Sequence, residues 1–169
     1  MHFEGTGIKI KEVKTKSFLI QANRYTTILL AAVLLYAGIN KITSPSALIE
    51  NLTSLFKFLP ENLIIIIASI LPLIEIGIGT ALIFSVYEER IKKYKKAISL
   101  SAAILLGLFL AYSVYGYAAG MNNDCGCCGD ALKSDFGLSM IIRNLILFLM
   151  TSLNIVFNTN RPRFKRVLL

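Results

Sequence analysis

The sequence predicts an all-α integral membrane protein, a bundle of four spans, and three observations lead there. Hydrophobic residues make up 55% of the 169 and charged residues 17%, against about 25% charged in soluble domains. The apolar residues gather into long runs, each at or near the roughly 18–20 residues that a bilayer crossing needs. The Lys and Arg residues behind the net charge of +8 sit in blocks between those runs. Basic blocks flanking apolar helices are a topology signal, so nucleic acid is not an expected partner and the lipid bilayer is.

Residues 1–24 carry Lys9, Lys11, Lys14, Lys16 and Arg24 and read as a basic cytoplasmic tail. As the leading region of a signal peptide this stretch is too long, and no small-x-small cleavage site precedes Gly38. The first span is therefore retained, over about 25–42, with Lys41 near its far end, where the stem of the side chain can reach the interface. Ser44-Pro45-Ser46 then starts a short helix and Leu59-Pro60 stops it. Leu48, Ile49, Leu52, Leu55, Phe56 and Leu59 recur at helical spacing, which predicts an amphipathic helix on the extracytoplasmic membrane surface.

The second span covers about 63–86. Pro72 is expected to kink it. Glu75 lies deep in the apolar run, where a carboxylate costs about 2.5–3.5 kcal/mol on insertion scales, so it must face protein or water. Glu75 is either a hydrogen-bonded structural group or a proton-handling one, with Arg143 and Lys41 as candidate partners. A tight basic turn follows with Arg90, Lys92, Lys93, Lys95 and Lys96. The third span, about 97–119, ends in Tyr112, Tyr115 and Tyr117, an aromatic belt beside the next loop. The fourth covers about 138–157, with Arg143 and Asn144 near its start. Residues 158–169 form a second basic tail with Arg161, Arg163, Lys165 and Arg166.

The two connections on the opposite side hold Lys57 and Lys133 as their basic residues. The positive-inside rule then puts both termini in the cytoplasm and the 120–137 loop outside, where disulfides persist. A multi-pass protein of the cytoplasmic membrane is the expected location.

That loop holds all three cysteines, as Cys125-Gly126-Cys127-Cys128-Gly129. Cys125 and Cys128 form a C-x-x-C, suited to a reversible disulfide. Cys125 and Cys127 close a smaller, more strained ring, and strained disulfides are the labile ones. A third thiol allows relay between the two pairings. Asp124 and Asp130 disfavour thiolates, while Lys133 and Arg143 offset them. A structural zinc site wants four ligands and the loop supplies three thiolates, so no metal is expected; soft Cu(I) or Zn on a non-catalytic module is the rival reading, and a disulfide that staples an assembly subunit is another.

The expected activity is thiol–disulfide oxidoreduction through Cys125, Cys127 and Cys128, with Glu75 and Arg143 in support. The partner is an extracytoplasmic thiol protein, a small thiol or a redox partner subunit. Two electrons and two protons must leave, and a membrane quinone takes that complement. Lys41, Tyr112, Tyr115, Tyr117 and Asn144 are the candidates to hold its oxygens.

These residues also carry a resemblance. The chain resembles the MauE/DoxX group of four-helix membrane proteins, nearest the MauE-like branch. A Cys-Gly-Cys-x-Gly loop before an Arg-Asn matches Cys125–Gly129 and Arg143-Asn144, with Cys128 where such proteins often have an aromatic residue. Ala37-Gly38-Ile39-Asn40-Lys41 and Leu71-Pro72-Leu73-Ile74-Glu75, with Gly77 and Gly79, match the first two helices. The resemblance covers about residues 25–157. It implies a redox-associated membrane protein that helps supply disulfides to extracytoplasmic partners: MauE-like members are associated with maturation of a methylamine dehydrogenase subunit, DoxX-like ones with thiosulfate:quinone oxidoreduction.

Overall fold

The computed structural model describes residues 4–120 and 138–159. In chain order they form α1 (Glu4–Thr43), α2 (Ser46–Leu55), α3 (Glu61–Tyr87), α4 (Glu89–Lys92), α5 (Lys95–Ala118) and α6 (Leu138–Thr159), with no strand among the described residues. Four helices hold stretches long and apolar enough to cross a membrane: Ile20–Thr43, Glu61–Tyr87, Lys95–Ala118 and Leu138–Phe157, of 24, 27, 24 and 20 residues. At 1.5 Å per residue these are about 30–40 Å long, enough for a hydrocarbon core. All four expected spans are present.

The helix ends follow local chemistry. Pro45 stops α1, because the residue before a proline is disfavoured in helical geometry. Pro60, extended at φ −65° and ψ 143°, starts α3. That helix runs unbroken through Pro72. Gly120 ends α5 with φ +69°, a left-handed conformation that glycine adopts without steric cost. One boundary differs from expectation: the basic stretch before the first span is helical from Glu4, making α1 a single helix of 40 residues. Between its early glycines and Pro45 nothing in the sequence interrupts it.

The distribution of side chains is that of a membrane protein. Ile66, Leu73, Ile104, Leu108, Leu149 and Leu153 are exposed, while Asn23, Thr27, Lys41, Glu75, Ser99, Asn144 and Asn154 are buried. In lipid this arrangement costs nothing on the outside and lets polar groups satisfy one another inside.

Two antiparallel pairs dominate the packing, α1 with α3 and α5 with α6; lighter contacts of α3 with α5 and α1 with α6 close the bundle. Two glycines set the first pair. A Cβ on Gly38 would lie 2.7 Å from Ile76 Cγ1 and 3.0 Å from the Pro72 carbonyl, and one on Gly79 would lie 3.2 Å from the Ala31 carbonyl. The backbones therefore approach as in other small-residue membrane interfaces. This register leaves about two turns of α3 beyond the last turn of α1. There α2 packs Leu48 and Leu52 against Ile64 and Ala68 of α3, with Tyr112 of α5 alongside. A short helix is present over Ser46–Leu55, and its apolar side meets the bundle. The end that bears α2 and the 121–137 connection is the loop end; the opposite one is the tail end.

Candidate functional site

The loop-end half of the interior is organised around one ion pair. Lys41 and Glu75 are the buried charged side chains among the described residues, with 3% and 0% of their surfaces exposed. Lys41 Nζ donates to Glu75 Oε1, and the same ammonium lies 4.4 Å from the centroid of the Phe109 ring. A cation over an aromatic face gains most where it is desolvated, as here. Three helices therefore converge on one ammonium: α1 carries it, α3 neutralises it and α5 supplies the ring. Glu75 Oε2 is buried and has no hydrogen-bond partner among the described residues.

The placement of Lys41 corrects an expectation. Its stem does not run to the interface. Because α1 ends short of α3, Lys41 lies about one helical turn from Glu75 in depth and reaches toward it. Glu75 has thus found its basic partner within the bundle, and the partner is Lys41. Among the described residues, the charged group that meets Glu75 is Lys41; Arg143 is half-buried on α6.

Phe109 connects this pair to a neutral cluster. Asn144 Nδ2 lies 2.5 Å from Ser113 Oγ and 3.5 Å from the Phe109 carbonyl, while Ser113 donates to that same carbonyl at 2.6 Å. Asn144 is 5% exposed, and these contacts join α5 to α6. Tyr112, on the next turn of α5, packs with α2 and α3.

The residues expected to hold a quinone are spread over three helices, α1, α5 and α6. Lys41 is engaged by Glu75, Asn144 by Ser113, and Tyr112 by the α2 cluster. Tyr115 and Tyr117 are exposed on the outside of α5, as in an interfacial belt. Cys125, Cys127 and Cys128, with Asp124, Asp130 and Lys133, lie outside the described residues. No group of three or more His, Cys, Asp or Glu suited to a metal occurs among the described residues.

Sequence reasoning missed Phe109 and Ser113. Ser113 bore a faint signal, a hydroxyl amid apolar residues. Phe109 bore none, since it is one of ten phenylalanines and its role depends on what α1 places over it.

A second polar cluster ties α1 to α6 toward the tail end. Asn154 Nδ2 donates to Thr27 Oγ1 at 2.8 Å and meets Thr26 Oγ1 at 3.3 Å, and Thr27 in turn donates to the Asn23 carbonyl at 2.6 Å.

The family model described as methylamine utilisation protein MauE matches residues 16–157, which takes in all four spans and both polar clusters. The chain belongs to the MauE family. Membership indicates a membrane, redox-associated accessory role, in keeping with the four apolar helices. No curated protein and no solved structure matches the chain.

Proposed function

We propose that this MauE-family chain is a membrane thiol–disulfide oxidoreductase that exchanges disulfides with an extracytoplasmic protein or small thiol. The observation that carries the reading is the clustering of Cys125, Cys127 and Cys128 in the connection between the last two spans. Its support is the charge pattern: Arg90 and Lys93 lie at the end where α1 begins and α6 ends, two further basic stretches adjoin those helix ends in the sequence, and the positive-inside rule makes that the cytoplasmic side. The cysteines then face an oxidising compartment.

A partner thiolate attacks the loop disulfide and forms a mixed disulfide. The partner's second thiol resolves it, leaving the partner oxidised and the loop as a dithiol. Two electrons and two protons then leave the loop for a lipid-soluble quinone, which becomes a quinol as the disulfide re-forms. The quinone is a co-substrate in this reading, and no position within the bundle is assigned to it. Methylamine utilisation, named in the family's description, offers a setting in which a partner needs its disulfides supplied.

The test is dithiol:quinone turnover by the purified, full-length protein in proteoliposomes. Turnover is expected in the unmodified chain and is lost when Cys125, Cys127 and Cys128 are all replaced by alanine. Unchanged turnover in that variant would sink the assignment. Stoichiometric copper or zinc retained after anaerobic purification, with no turnover, would favour a metal-binding module instead.

A further inference from the structure

We propose that the buried Lys41–Glu75 pair is a proton-binding site that serves thiol oxidation, with Glu75 Oε2 as the position that takes the proton. The inference rests on the thiol–disulfide reading for its coupling, though not for the proton binding itself.

Geometry carries it. Glu75 Oε1 is bonded to Lys41, and Oε2 is buried without a partner among the described residues. A proton added at Oε2 therefore breaks no existing hydrogen bond. Lys41 stays in place, held by Oε1 and by the Phe109 ring at 4.4 Å, so the positive charge does not move while the carboxylate gains or loses its own. The site is buried: Glu75 is 0% exposed and Lys41 is 3% exposed, with the α2 cluster packed on the neighbouring turns of α3.

A structural cross-link does not call for this chemistry. The chain joins α1 to α6 with the neutral Asn154–Thr27 bond, and α5 to α6 with Asn144 and Ser113. Buried ion pairs are seldom more stabilising than apolar replacements, and a buried acceptor left unsatisfied costs more still. What the pair offers beyond those neutral links is a vacant carboxylate oxygen at constant neighbouring charge.

Among the described residues, the surrounding titratable groups leave the role to Glu75. On the loop-end halves of the packed helices, Tyr36, Tyr115 and Tyr117 are exposed and Glu50, Lys57 and Glu61 also lie outside. Tyr112 and Arg143 are half-buried, and the Tyr112 hydroxyl is buried. Oxidation of two loop thiols to a disulfide releases two electrons and two protons. The electrons go to the quinone co-substrate, and one of the protons rests on Glu75 Oε2 before it follows them, so that the quinol receives both.

Infrared difference spectroscopy on the full-length protein tests both halves. A pH-difference spectrum of the resting protein should contain a carboxyl C=O band that shifts in heavy water and is absent in Glu75→Gln. Isotope-labelled glutamate in the unmodified chain gives the assignment without a variant, because Glu75 is the buried glutamate among the described residues. Absence of any such band overturns proton binding at Glu75. A second spectrum, dithiol-reduced minus oxidised, should show the same band changing, and it should not change when all three cysteines are alanine. If the thiols cycle and the band is still, the coupling is overturned while the thiol chemistry stands. If the thiols do not cycle at all, the oxidoreductase reading fails and the coupling with it, and the pH-difference band is what decides proton binding.

Discussion

The two halves of the bundle interior solve the same problem with different chemistry. Toward the tail end, Asn154 donates to Thr27 and Thr26, and Thr27 donates back to the α1 backbone. Toward the loop end, Lys41 and Glu75 meet as charges, with Phe109 against the ammonium. Neutral amides and hydroxyls join helices at small cost, since the same groups find partners even when the helices separate in the membrane. Charges gain more from pairing and lose far more when the pairing is broken. The ionic half is thus where a single change of charge is felt, and it is also the half that borders the cysteine connection.

The sharpest way to break the contrast is Lys41→Met. It leaves Glu75 buried with no cation, and removal of one partner from a buried pair costs about 3–5 kcal/mol. The full-length protein in detergent should unfold at a markedly lower temperature. The double variant Lys41→Met/Glu75→Leu should recover most of that loss, because apolar replacement of a whole pair is often neutral. If the double variant is as unstable as the single one, the penalty is not an unpaired charge.

Gly38→Val tests what brings the pair together. Its side chain would collide with Ile76 and with the Pro72 carbonyl, and overpacking of this kind costs about 1–3 kcal/mol. The expected result is a smaller fall in unfolding temperature, with α1 and α3 held apart. A crosslink between cysteines placed at the facing positions 35 and 79 should then form more slowly. An unchanged rate would mean the helices do not meet at these glycines.

The neutral half should respond least. Asn154→Leu removes the α1–α6 hydrogen bonds, and single bonds of this kind inside membranes average about 0.6 kcal/mol. A loss as large as that of Lys41→Met would erase the distinction between the two halves.

Much of the fold was legible beforehand because its causes are local. A bilayer crossing needs a length and a composition, both read within one segment, and four candidate spans are present among the described residues. Proline and glycine marked the boundaries for the same reason, since their effects are confined to a turn. Glu75 drew notice as a carboxylate in an apolar run, and its need for a partner follows from the solvent alone.

Which partner it took was not local. Read along the first span, Lys41 belongs to an interface, and in the bundle it is an interior residue. The difference comes from register: Gly38 and Gly79 let α1 and α3 approach, α1 ends short of α3, and α2 fills the space beyond. Phe109, thirty-four residues past Glu75, entered the site only through that packing. Composition and periodicity settle where a chain crosses a membrane, because lipid acts on each segment separately; which buried charges meet depends on the relative depth and rotation of helices far apart in the chain, and tertiary packing alone decides that.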